Sequence, residues 1–263
     1  MDNDRVDGLA MRFLGHSTVR LETAGRVVLT DPVLTGTVGG LRRVAPPLPP
    51  DAWAGADLVL ISHLHGDHLH LPSLRLLGAD VPVVVPRGAG DWLRRRGFRR
   101  VHELGVGESL TDGELTITAL YADHAGHRWG PRFTHGPHAP AVGHLVEARG
   151  RRVYVAGDTD LYGEMAQLSG IDVALLPVWG WGPSLGPGHL DPVRAAEAAR
   201  LIRPAVTVPV HWGTLALPGI ARTKKMRRLL VEPPRRFAEA AAAHTEVRVT
   251  EPGEHVRLTG VRP

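Results

Sequence analysis

A run of histidines with one aspartate is the part of this sequence with the clearest capacity for chemistry. It reads Ser62-His63-Leu64-His65-Gly66-Asp67-His68 and directly follows the apolar run from Asp57 to Ile61. Imidazole and carboxylate groups are ligands for zinc, manganese and iron. So short a segment cannot direct all four side chains at one ion. We therefore favour a site for two metal ions over the alternative, a solvated histidine loop.

The overall composition limits the chemistry to nitrogen and oxygen ligands. The chain of 263 residues has fifteen histidines and no cysteine, which excludes disulfides, thiolate metal sites, iron–sulfur clusters and a cysteine nucleophile. Its 43% hydrophobic residues suffice for a sizeable core, and the net charge is only +4. We find no membrane-spanning apolar run and no signal-peptide pattern, so we expect a cytoplasmic protein.

Short apolar runs that end in Gly, Pro or Asp predict the strands that must position these side chains. Helical segments are predicted at 88–96, 192–202 and 234–244, the second with Asp191 as N-cap and Pro192 at its first position. Residues 105–113 and 129–140 are predicted to be loops. The predicted strands cover residues 11–22 with a break at Gly15, 26–29, 57–61, 81–85, 114–121, 142–148, 153–156, 173–177 and 206–210.

The pattern H-x-H-x-D-H after an apolar strand resembles the signature of the metallo-β-lactamase fold hydrolases. Further landmarks of that family occur in its order, each just after a predicted strand: Asp123-His124, Gly157-Asp158-Thr159 and His211-Trp212-Gly213-Thr214. Within the superfamily the chain is most similar to the branch that contains ascorbate 6-phosphate lactonase and N-acyl phosphatidylethanolamine phospholipase D. That similarity depends on Gly188-His189-Leu190-Asp191-Pro192, His211-Trp212-Gly213-Thr214 and Glu232-Pro233-Pro234. The resemblance to the superfamily also covers Leu14-Gly15-His16-Ser17-Thr18 and Thr30-Asp31-Pro32.

The resemblance implies an α/β fold, namely a four-layer αββα sandwich of two mixed β-sheets flanked by helices. We expect residues 1–263 to form a single domain of this type. It also implies two divalent metal ions, with zinc favoured and manganese or iron as alternatives. By family position the ligands would be His63, His65 and His124 for one ion, Asp67, His68 and His211 for the other, and Asp158 bridging both.

Other residues match family positions near the metal site. Asp31 would orient a ligand, and its alternative is to cap a turn. His16 and His189 would contact substrate or protonate a leaving group, unless they are ordinary loop histidines. Trp179 and Trp181 lie in a Gly/Pro-rich loop and would line a substrate pocket or anchor that loop. His127 is the alternative to His124 as ligand.

The resemblance implies a hydrolase in which a metal-bound hydroxide attacks an ester, lactone or phosphodiester bond, with Asp67, Asp158 and His189 in catalytic roles. Arginine-rich runs at 94–100 and 221–228 motivate the alternative, a nucleic-acid-binding protein or metal-dependent nuclease. These runs lack interleaved aromatic residues for base stacking, so a small-molecule or lipid-like anionic substrate is favoured over nucleic acid. Ligand binding without turnover, peripheral membrane contact and homo-oligomerisation stay open.

Overall fold

The computed structural model describes residues 8–129 and 135–258. Most strands are short and buried, as the apolar runs predict. In chain order they are β1 Ala10–Gly15, β2 Thr18–Thr23, β3 Arg26–Thr30, β4 Thr37–Val38, β5 Leu41–Arg43, β6 Leu58–Leu60, β7 Val83–Pro86, β8 Val101–Leu104, β9 Ser109–Asp112, β10 Leu115–Tyr121, β11 His127–Trp129, β12 His135–His138, β13 Val142–Ala148, β14 Arg151–Val155, β15 Val173–Pro177, β16 Val206–Val210, β17 Leu215–Ala216, β18 Glu246–Val247 and β19 His255–Val256.

Two seven-stranded sheets form the body of the fold, in the orders β19-β1-β2-β3-β6-β7-β8 and β18-β16-β15-β14-β13-β10-β9. Both sheets are mixed. In the first, β1 to β3 pair antiparallel and β3, β6, β7 and β8 pair parallel. In the second, β14, β15, β16 and β18 are the parallel strands. Parallel strands end at the same sheet edge, so the loops that follow them gather there.

The side chains of β6, and of Ile61 directly after it, show how a strand packs between the second sheet and the outer helices. Leu58 and Leu60 belong to the core between the sheets, whereas Val59 and Ile61 pack on the outer face of the first sheet. Successive strand residues point to opposite faces, and a strand buried on both faces is apolar throughout. A continuous apolar run is therefore what a central strand of a four-layer fold requires.

Helices cover both outer faces. Leu74 of α1 and Leu93 of α2 pack with the outer face of the first sheet. Helices α3 and α5 contact each other and lie against β15 and β16 of the second sheet. The predicted αββα architecture is thus confirmed. The helices are α1 Leu71–Leu77, α2 Gly90–Arg94, α3 Pro192–Ile202, α4 Lys224–Leu229 and α5 Glu232–Ala241.

Helix α3 has the predicted bounds, because the Asp191 side chain accepts hydrogen bonds from the backbone N–H groups of Val193 and Arg194. The two predicted loops were wrong in part. Residues 105–113 contain β9, which adds to the edge of the second sheet, and the described part of 129–140 contains β12 and the end of β11. These strands are short and lack an apolar face, so they have little periodic signal. Within the described ranges no helix is long and apolar enough to cross a membrane.

Candidate metal centre

The histidines and aspartates predicted as metal ligands lie just past strand ends. His63, His65, Asp67 and His68 follow β6, and the other three positions follow β10, β14 and β16. Because β6 lies in one sheet and the other three strands in the second, the two sheets bring these loops together at one edge. All seven side chains fall into clusters whose ligand-type atoms lie within 4.8 Å of one another.

Three imidazoles form the first cluster. His63 Nε2 lies 2.9 Å from His65 Nδ1, and His124 Nε2 lies 3.1 Å from the same nitrogen. Two ring nitrogens this close cannot both carry a proton directed at the other, because two N–H groups repel. At least one lone pair in each contact therefore points at the shared space.

The second cluster combines two imidazoles with carboxylates. His68 Nε2 lies 3.2 Å from His211 Nε2, and Asp67 Oδ2 lies 4.0 Å from His211 Nε2. Asp158 lies between the clusters. Its Oδ2 is 3.3 Å from His68 Nε2 and 4.0 Å from His63 Nε2, and its Oδ1 is 3.3 Å from His211 Nε2. This one carboxylate thus contacts members of both clusters.

Hydrogen bonds on the far side of the rings fix which nitrogen points inward. His124 Nδ1 donates to the Gly188 carbonyl oxygen at 2.6 Å, and His211 Nδ1 donates to the Trp179 carbonyl oxygen at 2.7 Å. A carbonyl oxygen only accepts, so these Nδ1 atoms carry the protons. In the neutral rings the Nε2 lone pairs therefore face the cluster interior. Such bonds are how proteins set the tautomer of a ligating histidine.

Burial favours uncharged imidazoles at several of these positions. It lowers the pKa of His63 well below its usual value, that of His65 to about 4 and that of His211 to about 3. Burial alone would raise the pKa of Asp158, but the charges of His211 and His68 hold it well below the usual range. Burial would also lower the pKa of His68, but the charges of Asp158 and Asp31 outweigh it and raise that pKa well above its usual value. The centre thus combines neutral imidazoles at His63, His65 and His211 with a protonated His68 between the Asp31 and Asp158 carboxylates.

These residues fit a pair of divalent cations. Asp158 is 3% exposed, and within the described part of the chain its Oδ1 has no hydrogen-bond partner, which is costly for a buried carboxylate oxygen. Asp31 is 1% exposed and adds a further buried carboxyl group beside the cluster. Cations between the inward-facing nitrogens and Asp158 would compensate the negative charge and occupy the lone pairs. The donor set is entirely nitrogen and oxygen, which suits zinc, manganese or iron.

Asp31 and Ser62 contact the Nδ1 sides of the His68 and His63 rings. Asp31 Oδ2 accepts from His68 Nδ1 at 2.8 Å and from the Ser62 hydroxyl at 2.6 Å, and Asp31 Oδ1 accepts from the Ser62 backbone N–H at 2.7 Å. The Ser62 oxygen also lies 3.0 Å from His63 Nδ1. One carboxylate thereby orients a ring in each cluster. Ser62 lies inside the histidine motif, but neither its residue type nor its spacing predicts this role.

We expect Asp31→Asn to weaken ion affinity by roughly 10- to 100-fold, the usual effect of removing a hydrogen-bond acceptor behind a metal ligand. An amide cannot accept all three of these hydrogen bonds, so the His68 and His63 rings lose their fixed orientation. Chelator-competition titration measures the affinity. Asp57→Asn is the matched control, since Asp57 also accepts a backbone N–H bond, from Val27 at 2.8 Å, away from the centre. Equal affinities in the two variants would contradict this role of Asp31.

His16 lies inside the centre and not merely near it. It is 1% exposed, its Nε2 lies 3.0 Å from Asp67 Oδ2, and it groups with Asp67, His68 and His211 as a possible ion-binding set. Its backbone has a positive φ of 56°, as do Asp31 at 36° and His211 at 64°. Hydrogen bonds hold this conformation: the His16 N–H donates to the Thr214 hydroxyl at 2.6 Å, and its carbonyl oxygen accepts from the His211 N–H at 2.7 Å.

A cavity of about 400 Å³ opens onto the centre. His189 lies on its wall with Nε2 3.4 Å from Asp158 Oδ2, and its Nδ1 donates to the Pro187 carbonyl oxygen at 3.1 Å. Burial lowers the His189 pKa, but the hydrogen bond and charge of Asp158 outweigh that effect and raise it overall. With an acceptor at each ring nitrogen, this histidine is suited to hold and release a proton.

The two tryptophans of the 179–182 loop differ in their surroundings. Trp181 is 37% exposed and lines the cavity together with Leu185 and His189. Trp179 packs against the main core and donates its indole N–H to the Gly182 carbonyl oxygen at 3.2 Å. The ring of His127 lies 5.5 Å from that of His65, but among the described residues the cluster of His63 and His65 is completed by His124.

Several arginines of the two basic runs form local contacts. Arg94 pairs with Asp91 and Glu103, and Arg99 pairs with Asp80. In the second run, Arg228 pairs with Glu232 across the α4–α5 junction. This second run borders its own surface depression, whose described lining residues are distinct from those of the cavity over the centre.

An αββα sandwich with imidazole and carboxylate clusters at its strand ends defines the class of metal-dependent hydrolases with the metallo-β-lactamase fold. Residues 26–212 match the family model described as the beta-lactamase superfamily domain. A metal-dependent hydrolase of Opitutus terrae is 32% identical, over 95% of this chain and 100% of that protein. The chain therefore belongs to the metallo-β-lactamase superfamily and is a metal-dependent hydrolase.

Two further similarities are informative. The N-acyl-phosphatidylethanolamine-hydrolyzing phospholipase D 1 of Caenorhabditis elegans is 30% identical, over 79% of this chain and 64% of that protein. The structure of Igni18, a metallo hydrolase of Ignicoccus hospitalis, superposes with a TM-score of 0.71 at 25% identity, over 94% of this chain and 97% of that one.

Proposed function

We propose that this protein is a dinuclear hydrolase that cleaves an ester, lactone or phosphodiester bond. The observation that carries the proposal is Asp158, a buried carboxylate with one unbonded oxygen, in contact with histidines of both clusters. His63, His65 and His124 would hold one ion, Asp67, His68 and His211 the other, and Asp158 both. When bound, such ions supply Lewis-acid chemistry, because they polarise a carbonyl or phosphoryl group and lower the pKa of water.

The protein's own side chains would balance the charge of the ions, orient their ligands and supply a proton. The single negative charge of Asp158 lies where two cations would repel each other, and it offsets that repulsion. Asp31 and Ser62 hold the rings of His63 and His68 in orientation before substrate arrives. His189 holds a proton on Nε2 at the cavity wall and would deliver it to the departing oxygen of the substrate.

The cavity wall supports a substrate with an apolar part. Trp181 and Leu185 offer apolar surface beside the polar centre, an arrangement typical of small-molecule pockets. The name of the C. elegans relative includes hydrolysis of a phospholipid, which supports a lipid-like phosphodiester among the candidate substrates. Ascorbate 6-phosphate lactonase, in the branch that the sequence resembles, supports a lactone as the other candidate.

Elemental analysis and a substrate panel test this proposal together. Protein purified without added metal is expected to hold close to two transition-metal ions and to hydrolyse at least one ester, lactone or phosphodiester. Dialysis against a strong chelator is expected to abolish activity, and zinc, manganese or iron to restore it. His244→Ala removes an exposed histidine outside the clusters and is expected to keep both ions. Full activity in chelator with no metal detected would refute the proposal.

A further inference from the structure

Arg128 on β11 is not among the proposed ligands, yet it contacts the 64–69 loop, which carries three of them. Its NH1 group donates to the Leu64 carbonyl oxygen at 2.8 Å and to the Leu69 carbonyl oxygen at 2.9 Å. These two carbonyls lie on either side of the segment 65–68, which holds His65, Asp67 and His68. One guanidinium nitrogen thus ties together the two ends of the segment.

The segment makes few backbone hydrogen bonds of its own. The N–H groups of His68 and Leu69 both donate to the His65 carbonyl oxygen, at 3.1 and 2.9 Å, and form a single turn. The His70 N–H also donates to the His68 carbonyl oxygen, at 3.0 Å. These bonds close within the turn and do not tie its backbone to the rest of the fold. The directions of three ligand side chains depend on that backbone, so a shift of a fraction of an ångström changes the ion geometry.

Arg128 is itself held rigidly in place. Its guanidinium carbon lies 4.7 Å from the ring centroid of Trp92, within cation–π distance. Gly136 on β12 lies against its backbone, and a Cβ at that position would come 2.5 Å from the Arg128 carbonyl oxygen. Burial lowers the Arg128 pKa to about 10, so the group stays charged at neutral pH. Hydrogen bonds from a charged donor are stronger than those from a neutral one.

We propose that Arg128 is a positioning residue that holds the 64–69 loop in its ion-binding conformation. The inference rests on the ligand assignment of the proposed function. A loop ordered before binding loses less entropy when the ions bind, so the clamp raises ion affinity without touching an ion. Because the loop supplies ligands to both clusters, the effect extends to both ions.

The test compares Arg128→Ala with Arg96→Ala. The Arg96 guanidinium carbon lies 3.6 Å from the same Trp92 ring centroid, and its NH1 donates to the Trp92 carbonyl oxygen instead of to the loop. Chelator competition with zinc is expected to show a roughly 10- to 100-fold loss of affinity for Arg128→Ala, the range found for groups that orient metal ligands. Arg96→Ala is expected to stay within about twofold of the wild type, since it leaves the loop bonds intact.

Two further measurements separate positioning from general stability. The visible absorption of cobalt-substituted protein reports ligand geometry and is expected to change in Arg128→Ala but not in Arg96→Ala. The rise in Tm on adding zinc is expected to shrink in Arg128→Ala, because weaker binding stabilises the folded state less. Arg128→Lys keeps the charge and a donor but loses the planar fork, and is expected to recover part of the affinity.

Wild-type affinity and an unchanged cobalt spectrum in Arg128→Ala would overturn the inference, as would equal losses in Arg128→Ala and Arg96→Ala. If Arg128→Ala does not fold, Arg128→Met, which keeps a long side chain but has no N–H donor, decides by the same titration: weakened affinity supports the clamp, and wild-type affinity overturns it. A wild-type protein that binds no ion would overturn the proposed function and this inference with it. Ion binding that is insensitive to Arg128 would overturn only the inference.

Discussion

Replacing Asp158 with asparagine is expected to leave the protein with fewer bound ions and to lower kcat/KM by about 10³-fold or more, as for groups that stabilise developing charge directly. Asp158 is the only one of the proposed ligands assigned to both ions. An asparagine keeps the shape of the side chain and removes its negative charge. The cations would then face each other without the carboxylate that offsets their repulsion.

The measurement pairs elemental analysis with steady-state kinetics on whichever substrate the panel identifies. Asp160→Asn is the matched control, because Asp160 is a neighbouring carboxylate that pairs with Arg194 and lies outside the clusters. It is expected to keep both ions and most of the activity. If Asp158→Asn held two ions and turned over at the wild-type rate, the bridging role of Asp158 would be wrong.

The second large effect is expected at His189. His189→Gln is expected to lower kcat by about 10²- to 10⁴-fold on substrates with a poor leaving group, the usual contribution of a positioned proton donor. The same variant is expected to lose much less on an activated substrate such as a nitrophenyl ester, whose leaving group departs without a proton. His189 lies on the cavity wall, and each of its ring nitrogens has an acceptor within reach.

Ion content distinguishes this role from a ligand role. His189 also groups with His124 and Asp158 as a possible ion-binding set, so a ligand role is the competing explanation. A proton donor predicts that His189→Gln keeps both ions and that its defect depends on the leaving group. Loss of an ion, together with an equal defect on activated and unactivated substrates, would refute the proton-donor role. His244→Gln, an exposed histidine outside the centre, serves as the control.

The predictions made from local pattern agree best where a residue's neighbours in sequence decide its structure. Helix α3 begins at Pro192 as predicted, because its N-cap Asp191 is adjacent in sequence to the backbone groups that it bonds. Helix α5 begins at Glu232 instead of residue 234, and ends at Ala241, a difference typical of helix ends. Helices α1 and α4, of seven and six residues, were not predicted because so short a segment carries little periodicity.

The support around the clusters needed the tertiary structure. The bonds from Asp31 to Ser62, from His16 to Thr214 and from Arg128 to Leu64 each join distant parts of the chain. Ser62, Thr214 and Arg128 are of ordinary residue types, so no local pattern distinguishes them from surface polar residues, whereas Asp31 and His16 were expected near the site from the family resemblance. Which of them meet depends on the strand order within each sheet and on the packing of the two sheets, which brings the end of β6 close to strand ends of the other sheet.

By itself the sequence predicted the candidate ligand types, their order along the chain and their places after apolar strands. Chemistry explains the residue types, because a chain without cysteine must hold ions with imidazole and carboxylate, and apolar runs ending in such residues carry them to a sheet edge. The family resemblance supplied the positions of His124, Asp158 and His211. Only the tertiary structure decided that Asp158 contacts both clusters, that His16 lies beside Asp67, and that Arg128 ties the loop. Such contacts form only when separate strands pack together. The hydrogen bonds and charge interactions involved join residues that are far apart in the sequence, so no local pattern predicts them.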